Sequence, residues 1–107
     1  MNKIMRLMSL RHEFYINNPD LGGTHLHLLE HLAICANAGY PLTVTEAMQL
    51  RTVASPATIY RHLDDLIDHS YVYTDHHNDD KRSKYIHLTL KGKRYFNKLE
   101  QLIARTV

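Results

Sequence analysis

The sequence predicts an α+β fold, mostly helical with one β hairpin, on three observations. Ser55-Pro56-Ala57-Thr58-Ile59-Tyr60-Arg61-His62-Leu63 opens a helix with a well-marked start. Further on, Asp79-Asp80-Lys81-Arg82-Ser83-Lys84-Tyr85-Ile86-His87-Leu88 passes from a polar turn into an alternating strand. Thr89-Leu90-Lys91-Gly92 then supplies a residue able to cap another helix. A helix whose first turns carry hydroxyls and an Arg, followed at once by a basic hairpin, is the pattern of a winged helix-turn-helix. That is a three-helix core with a two-stranded β wing, here flanked by N- and C-terminal helices.

The elements follow in order. From Lys3 to about Ile16, Ile4, Leu7, Met8, Arg11, Phe14 and Tyr15 recur at three- and four-residue spacing, which predicts an amphipathic helix. Asn17-Asn18-Pro19-Asp20 and Gly22-Gly23 end it. Thr24 is expected to cap a second helix with Leu28, Leu29, Leu32, Cys35 and Ala36 on its apolar face, ending near Asn37 with Gly39 beyond. Thr43 and Glu46 have capping-box spacing at the start of a short third helix through Leu50, and Arg51 to Ala54 form the turn.

Ser55 is the N-cap of the next helix, with Pro56 at the first helical position, where its missing N–H costs nothing. Ile59, Leu63 and Leu66 mark its buried face as far as His69 or Ser70. Val72 and Tyr85 to Leu88 alternate as two strands joined by the polar tip His76-His77-Asn78-Asp79-Asp80. Thr89 caps the last helix, where Tyr95, Leu99, Leu102 and Ile103 form an apolar stripe. A single domain is therefore expected over 1–107, with the helix-turn-helix at 43–69, the wing at 71–89 and terminal helices at 1–17 and 90–107.

An apolar fraction of 44% and a charged fraction of 22% are those of a soluble globular protein. No apolar run reaches membrane-spanning length, and Lys3, Arg6, Arg11, His12 and Glu13 leave no clean signal-peptide core. The one cysteine, Cys35, excludes an internal disulfide framework and fits a reducing compartment, so a cytoplasmic protein is expected. Cys35 reads as a small core residue rather than a thiol switch. The net charge of +2 is mild, but seven of the 13 basic residues fall between Lys81 and Lys98 with no acidic residue among them. Such a surface suits phosphates; a solvated face without a partner is the plainer reading of the run taken alone.

No Gly-rich phosphate loop, nucleophile elbow, paired-carboxylate or metal-hydrolase motif is present, which argues against an enzyme. Nine His residues raise the question of a metal. His27 and His31 are four apart on one helix, with His25 and Glu30 close by, and His76-His77 sit in the wing tip. No Cys pair or carboxylate-rich loop completes a site, so neither a metal nor another cofactor is expected.

From about Leu42 to Gly92 the sequence resembles the MarR family of bacterial transcriptional regulators. The shared features are Ser55, Thr58 and Ile59 opening the recognition helix, the later Leu66, and Asp80, Arg82, Leu88, Thr89 and Gly92, the wing's Asp-x-Arg followed by Leu-Thr-x-x-Gly. The resemblance implies that Arg82 contacts DNA and that Asp80 orients it; an ordinary turn Asp capping its own backbone is the alternative. Ser70 stands where the family usually has a Gly ending the recognition helix, and a left-handed Ser there costs about 1 kcal/mol.

The residues expected to bind DNA are Ser55, Pro56, Ala57, Thr58, Tyr60 and Arg61 on the helix, with Arg82 and Lys84 on the wing. Ser55 and Thr58 offer hydroxyls, Ala57 allows close approach, and Arg61 can reach a guanine edge. The competing role for Arg61 is pairing with Asp64, Asp65 or Asp68, whose carboxylates should keep that end of the helix off the duplex. Dimerisation is expected through Ile4, Leu7, Met8, Tyr95, Leu99, Leu102 and Ile103, because a compact winged core leaves the two terminal stripes uncovered. The pattern therefore predicts a homodimeric, sequence-specific regulator of transcription, a repressor, binding double-stranded DNA without a membrane partner. Any small-molecule effector stays unnamed. A winged-helix docking module or accessory subunit that does not read DNA is the alternative.

Overall fold

Local hydrogen bonding sets nearly every boundary in the computed structural model, which describes residues 2–77 and 80–104 with the side chains of His77, Asp80 and Lys81 excepted. The first helix, α1 (Lys3–Asn17), starts at Asn2, whose Oδ1 accepts the Met5 N–H at 2.9 Å. It ends at buried Asn18, whose amide donates to the Phe14 carbonyl and to the Tyr71 hydroxyl, each at 2.7 Å. Both amide protons are thus used, and α1 is tied to the foot of the hairpin.

Helix α2 (Gly23–Asn37) begins two residues earlier than a cap at Thr24 would have it. Its N-cap is Gly22, whose N–H donates to His25 Nδ1 at 3.0 Å, so an imidazole does the work that Glu does in a capping box, and Thr24 lies inside the first turn. Leu26, Leu28, Leu29 and Leu32 carry α2 into the core. In α3 (Val44–Ala47) the expected box is present: the Thr43 N–H donates to Glu46 Oε1 at 2.9 Å and the Glu46 N–H to Thr43 Oγ1 at 3.1 Å. This helix stops short of Leu50 because the Gln49 and Leu50 N–H groups turn to the carbonyls three residues back, tightening the chain into turns.

Helix α4 (Pro56–Asp68) has Ser55 as N-cap and buries Ile59, Leu63 and Leu66. Its end is a Schellman turn: the Ser70 N–H donates to Ile67 O and the Tyr71 N–H to Leu66 O. Ser70 occupies the left-handed seat of that turn at φ 64°. Strands β1 (Val72–His77) and β2 (Asp80–Leu88) pair antiparallel, with Val72 opposite Leu88, Thr74 opposite Ile86 and His76 opposite Lys84. The strands run further into the tip than expected, and His77 pairs with Asp80, so Lys81, Arg82 and Ser83 form an irregular stretch of β2.

The sequence does not show one tertiary pairing. The Ile86 N–H donates to Leu42 O at 2.8 Å, and Thr43 bridges Tyr85, which fastens the loop before α3 to the wing. Helix α5 (Leu90–Ala104) starts as expected, with the Gly92 N–H donating to Thr89 Oγ1 at 3.1 Å. A Cβ at Gly92 would lie 2.4 Å from the Tyr71 carbonyl oxygen, so only glycine lets α5 settle on the end of the hairpin. Along α5, Tyr95 packs on Phe14 of α1 (centroids 5.3 Å apart), beside the Phe14–Tyr71 contact at 5.2 Å.

Candidate nucleic-acid interface

Helix α4 is two-faced. Ile59, Leu63 and Leu66 are buried, while Ser55, Ala57, Tyr60, Arg61 and Asp64 are exposed and Pro56 and Thr58 are half-buried. A polar ridge runs along the first two turns. The Ser55 hydroxyl donates to Thr58 Oγ1 at 2.9 Å, and Arg61 Nη2 donates to the same oxygen at 3.3 Å. Arg61 makes no ion pair with a carboxylate among the described residues, so pairing with Asp64, Asp65 or Asp68 is not the arrangement found. Its guanidinium lies back along its own helix and keeps donors for an outside acceptor. Asp64 and Asp68 stay exposed towards the C-terminal half, whereas Asp65 is drawn inward to His25, with Nε2 and Oδ2 at 2.8 Å.

On the wing, Arg82 and Lys84 are both exposed. Lys84 continues the row of Ile86 and Leu88 outward along β2, and Arg82 falls in the irregular stretch. His76 Nδ1 meets Ser83 O at 3.0 Å, and His87 Nε2 meets Asp75 Oδ1 at 2.7 Å, so both faces of the hairpin carry polar ties. The side chain of Asp80, and with it the orienting role expected for it, lies outside the described residues, as does Asp79.

The basic window from Lys81 to Lys98 does not form one continuous surface. Lys91 donates to the His69 carbonyl at 2.8 Å and lies 4.3 Å from the Tyr71 ring centroid, capping the end of α4. Its charge is structural, while Arg82 and Lys84 stand on the wing, and Lys93 lines a cleft of about 810 Å³ with Ile34, Tyr73, Phe96 and Leu99.

The seven apolar residues expected at a dimer contact separate into three groups. Tyr95 belongs to the chain's own α1–α5 packing, where burial pushes its hydroxyl up to about 12. Leu7, Leu99 and Leu102 are half-buried, while Ile4, Met8 and Ile103 are 66%, 55% and 59% exposed.

Known structures share this architecture. A MarR-like regulator from Thermotoga maritima superposes with a TM-score of 0.67 at 21% identity, over 96% of this chain and 72% of that one. Wild-type MarR from E. coli without ligand gives 0.63 at 21% identity, over 94% and 70%. The fold is that of the MarR regulators. A mutant E. coli MarR complexed with operator DNA also matches, with a TM-score of 0.63 at 20% identity, over 97% of this chain and 70% of that one. Neither a protein-family model nor a curated protein matches the sequence. Helix α4 and the hairpin β1–β2 are the elements that the sequence led one to expect as recognition helix and wing. No helix among the described residues is long and apolar enough to cross a membrane.

The sequence reading missed the approach of His25 and His62, whose rings stack at 3.7 Å with planes 10° apart. Nothing in local spacing announces it, since the two residues come from different helices.

Proposed function

We propose that this protein is a double-stranded DNA-binding regulator of transcription, acting as a homodimeric repressor. The observation that carries the reading is the ridge Ser55–Thr58–Arg61 on the N-terminal half of α4, exposed at Ser55 and Arg61, with no carboxylate paired to the guanidinium among the described residues. Hydroxyls and a guanidinium there suit phosphate oxygens and base edges, and the Asp64–Asp68 end tilts away because carboxylates repel the duplex. Arg82 and Lys84 add wing contacts to the backbone or minor groove. The MarR fold supports the reading, because a MarR of that fold has been solved on operator DNA.

A homodimer accounts for exposed Ile4, Met8 and Ile103 at the two ends of the chain. Two copies of α4 then address half-sites about one helical turn apart, roughly 34–36 Å, on a pseudo-palindrome. Selection from a random duplex library, followed by gel-shift titration of the selected and scrambled duplexes over a range of salt, tests the function. A selected consensus, with affinity falling steeply as salt rises, is expected. No enrichment, with no shift at low salt, removes DNA reading and leaves the docking module.

A further inference from the structure

His25, His62 and Asp65 form a cluster that DNA binding does not use. One ligand-capable atom from each lies within 4.8 Å of the other two. We propose that these three residues bind a divalent transition-metal ion of the zinc class, bridging α2 and α4. Two imidazoles and one carboxylate are a donor set zinc takes, with a fourth position left for water.

The hydrogen bonding fixes the tautomer of the metal-free ring. His25 Nδ1 accepts the Gly22 N–H, so the proton of the neutral ring is assigned to Nε2, which donates it to Asp65 Oδ2 at 2.8 Å. For Nε2 to ligate, the neutral ring must move its proton through solvent from Nε2 to Nδ1; the freed Nε2 lone pair then ligates and the carboxylate changes from acceptor to ligand. The Nδ1–H of that tautomer cannot accept the Gly22 N–H, so binding exchanges this bond at the start of α2 for the metal–ligand bonds.

His62 supplies the independent observation. Its Nδ1 is buried and has no hydrogen-bond partner, which a folded chain tolerates only at a cost. Burial first, and the adjacent His25 second, lower its proton affinity and favour the neutral ring that a metal requires. The two rings lie in parallel planes, so coordination of one ion by both requires His62 to turn out of the stack. No hydrogen bond to Nδ1 opposes that turn.

The pair His27 and His31 is a different kind of feature. Both lie on α2, their rings are 5.3 Å apart at 48°, and no third ligand joins them among the described residues. They serve as the internal control. Because the cluster lies between α2 and α4, a bound ion cross-links the recognition helix to its support whether or not α4 reads DNA.

The test uses the full chain after chelator treatment, with Zn²⁺ followed by calorimetry and Co²⁺ by visible absorption. One ion per chain is expected, with strong four-coordinate Co²⁺ bands and a raised thermal midpoint. His62→Phe keeps a flat ring against His25 and should weaken binding by at least about 100-fold, beyond the loss expected for a supporting group alone. Asp65→Asn should act in the same direction, while a His27→Ala, His31→Ala double variant should bind as wild type does. In wild-type protein the imidazole NMR signals of His25 and His62 should move on adding Zn²⁺ and those of His27 and His31 should not, a readout independent of any variant's folding. Wild-type protein that binds no stoichiometric Zn²⁺, binding that survives His62→Phe, or shifts confined to His27 and His31 overturns the site.

Discussion

Arg61 and Arg82 differ in where they stand, and different consequences follow. Arg61 rises from the second turn of α4 beside the Ser55–Thr58 hydroxyl pair, placed for a base edge. Arg61→Ala should cost roughly 1–3 kcal/mol of operator binding and relax preference at one position. Arg82, on the irregular stretch of the wing, should on change to Ala weaken good and poor duplexes alike. Gel shifts at fixed salt distinguish the two, and unchanged affinity in both variants would remove the DNA-reading hypothesis. Two backbone positions carry predictions of opposite sign. Ser70→Gly relieves the left-handed serine of the Schellman turn and should stabilise the fold by about 0.5–1 kcal/mol. Gly92→Ala drives a methyl into the Tyr71 carbonyl and should destabilise by roughly 1–3 kcal/mol. Urea unfolding of both variants measures the difference. Through the family resemblance the sequence marked Ser70 as a departure from the usual glycine and Gly92 as a match to the wing motif; the contact at Gly92 was not legible there.

Between elements, the α2–α4 contact is where acidity acts. His62 has a proton affinity below its ordinary value of 6.5, through burial and the neighbouring His25. The unfolded chain therefore binds the His62 proton more readily than the folded one, and stability falls as pH drops below about 6.5. Expected in urea unfolding of chelator-treated protein is a lower midpoint at pH 5.5 than at pH 7.5, the difference shrinking in His62→Phe. A midpoint that rises on acidification would mean that the protonated ring is the one the fold holds. The wing is set by a second contact between elements, Leu42 with Ile86 and Thr43 with Tyr85, which fixes the hairpin relative to α3. Strand patterning announced the hairpin, but an isolated bridge to a loop leaves no periodic trace.

At the scale of the molecule, extents of 48 × 26 × 23 Å describe an elongated body. Helices α1 and α5 close on each other through Phe14 and Tyr95 and still leave Ile4, Met8 and Ile103 outside. Met8→Glu and Ile103→Glu are expected to give monomers with specific DNA affinity lost, as seen by light scattering at micromolar concentration and by gel shift on the same samples. Leu99→Glu is the weaker probe, because Leu99 also lines the cleft against Phe96 and Ile34. A wild-type protein that scatters as a monomer, or charged variants that remain dimeric, would place the contact elsewhere on the surface.

The sequence by itself determined features closed by hydrogen bonds a few residues apart: the Thr43–Glu46 box, the Ser55–Pro56 start of α4, and Thr89 opening α5. These groups meet whenever their helix forms, so residue type and spacing are sufficient evidence of them. Even among local features, the cap of α2 went to Gly22 and His25 instead of Thr24, since an imidazole is not an ordinary capping partner. Only the tertiary structure decided that Lys91 caps α4, that Tyr95 belongs to the chain's own packing, and that Asp65 turns to His25 rather than to Arg61. Those pairings join residues 22 to 81 positions apart. They depend on how apolar faces stack, and a run of charges or rings in one dimension does not carry that information.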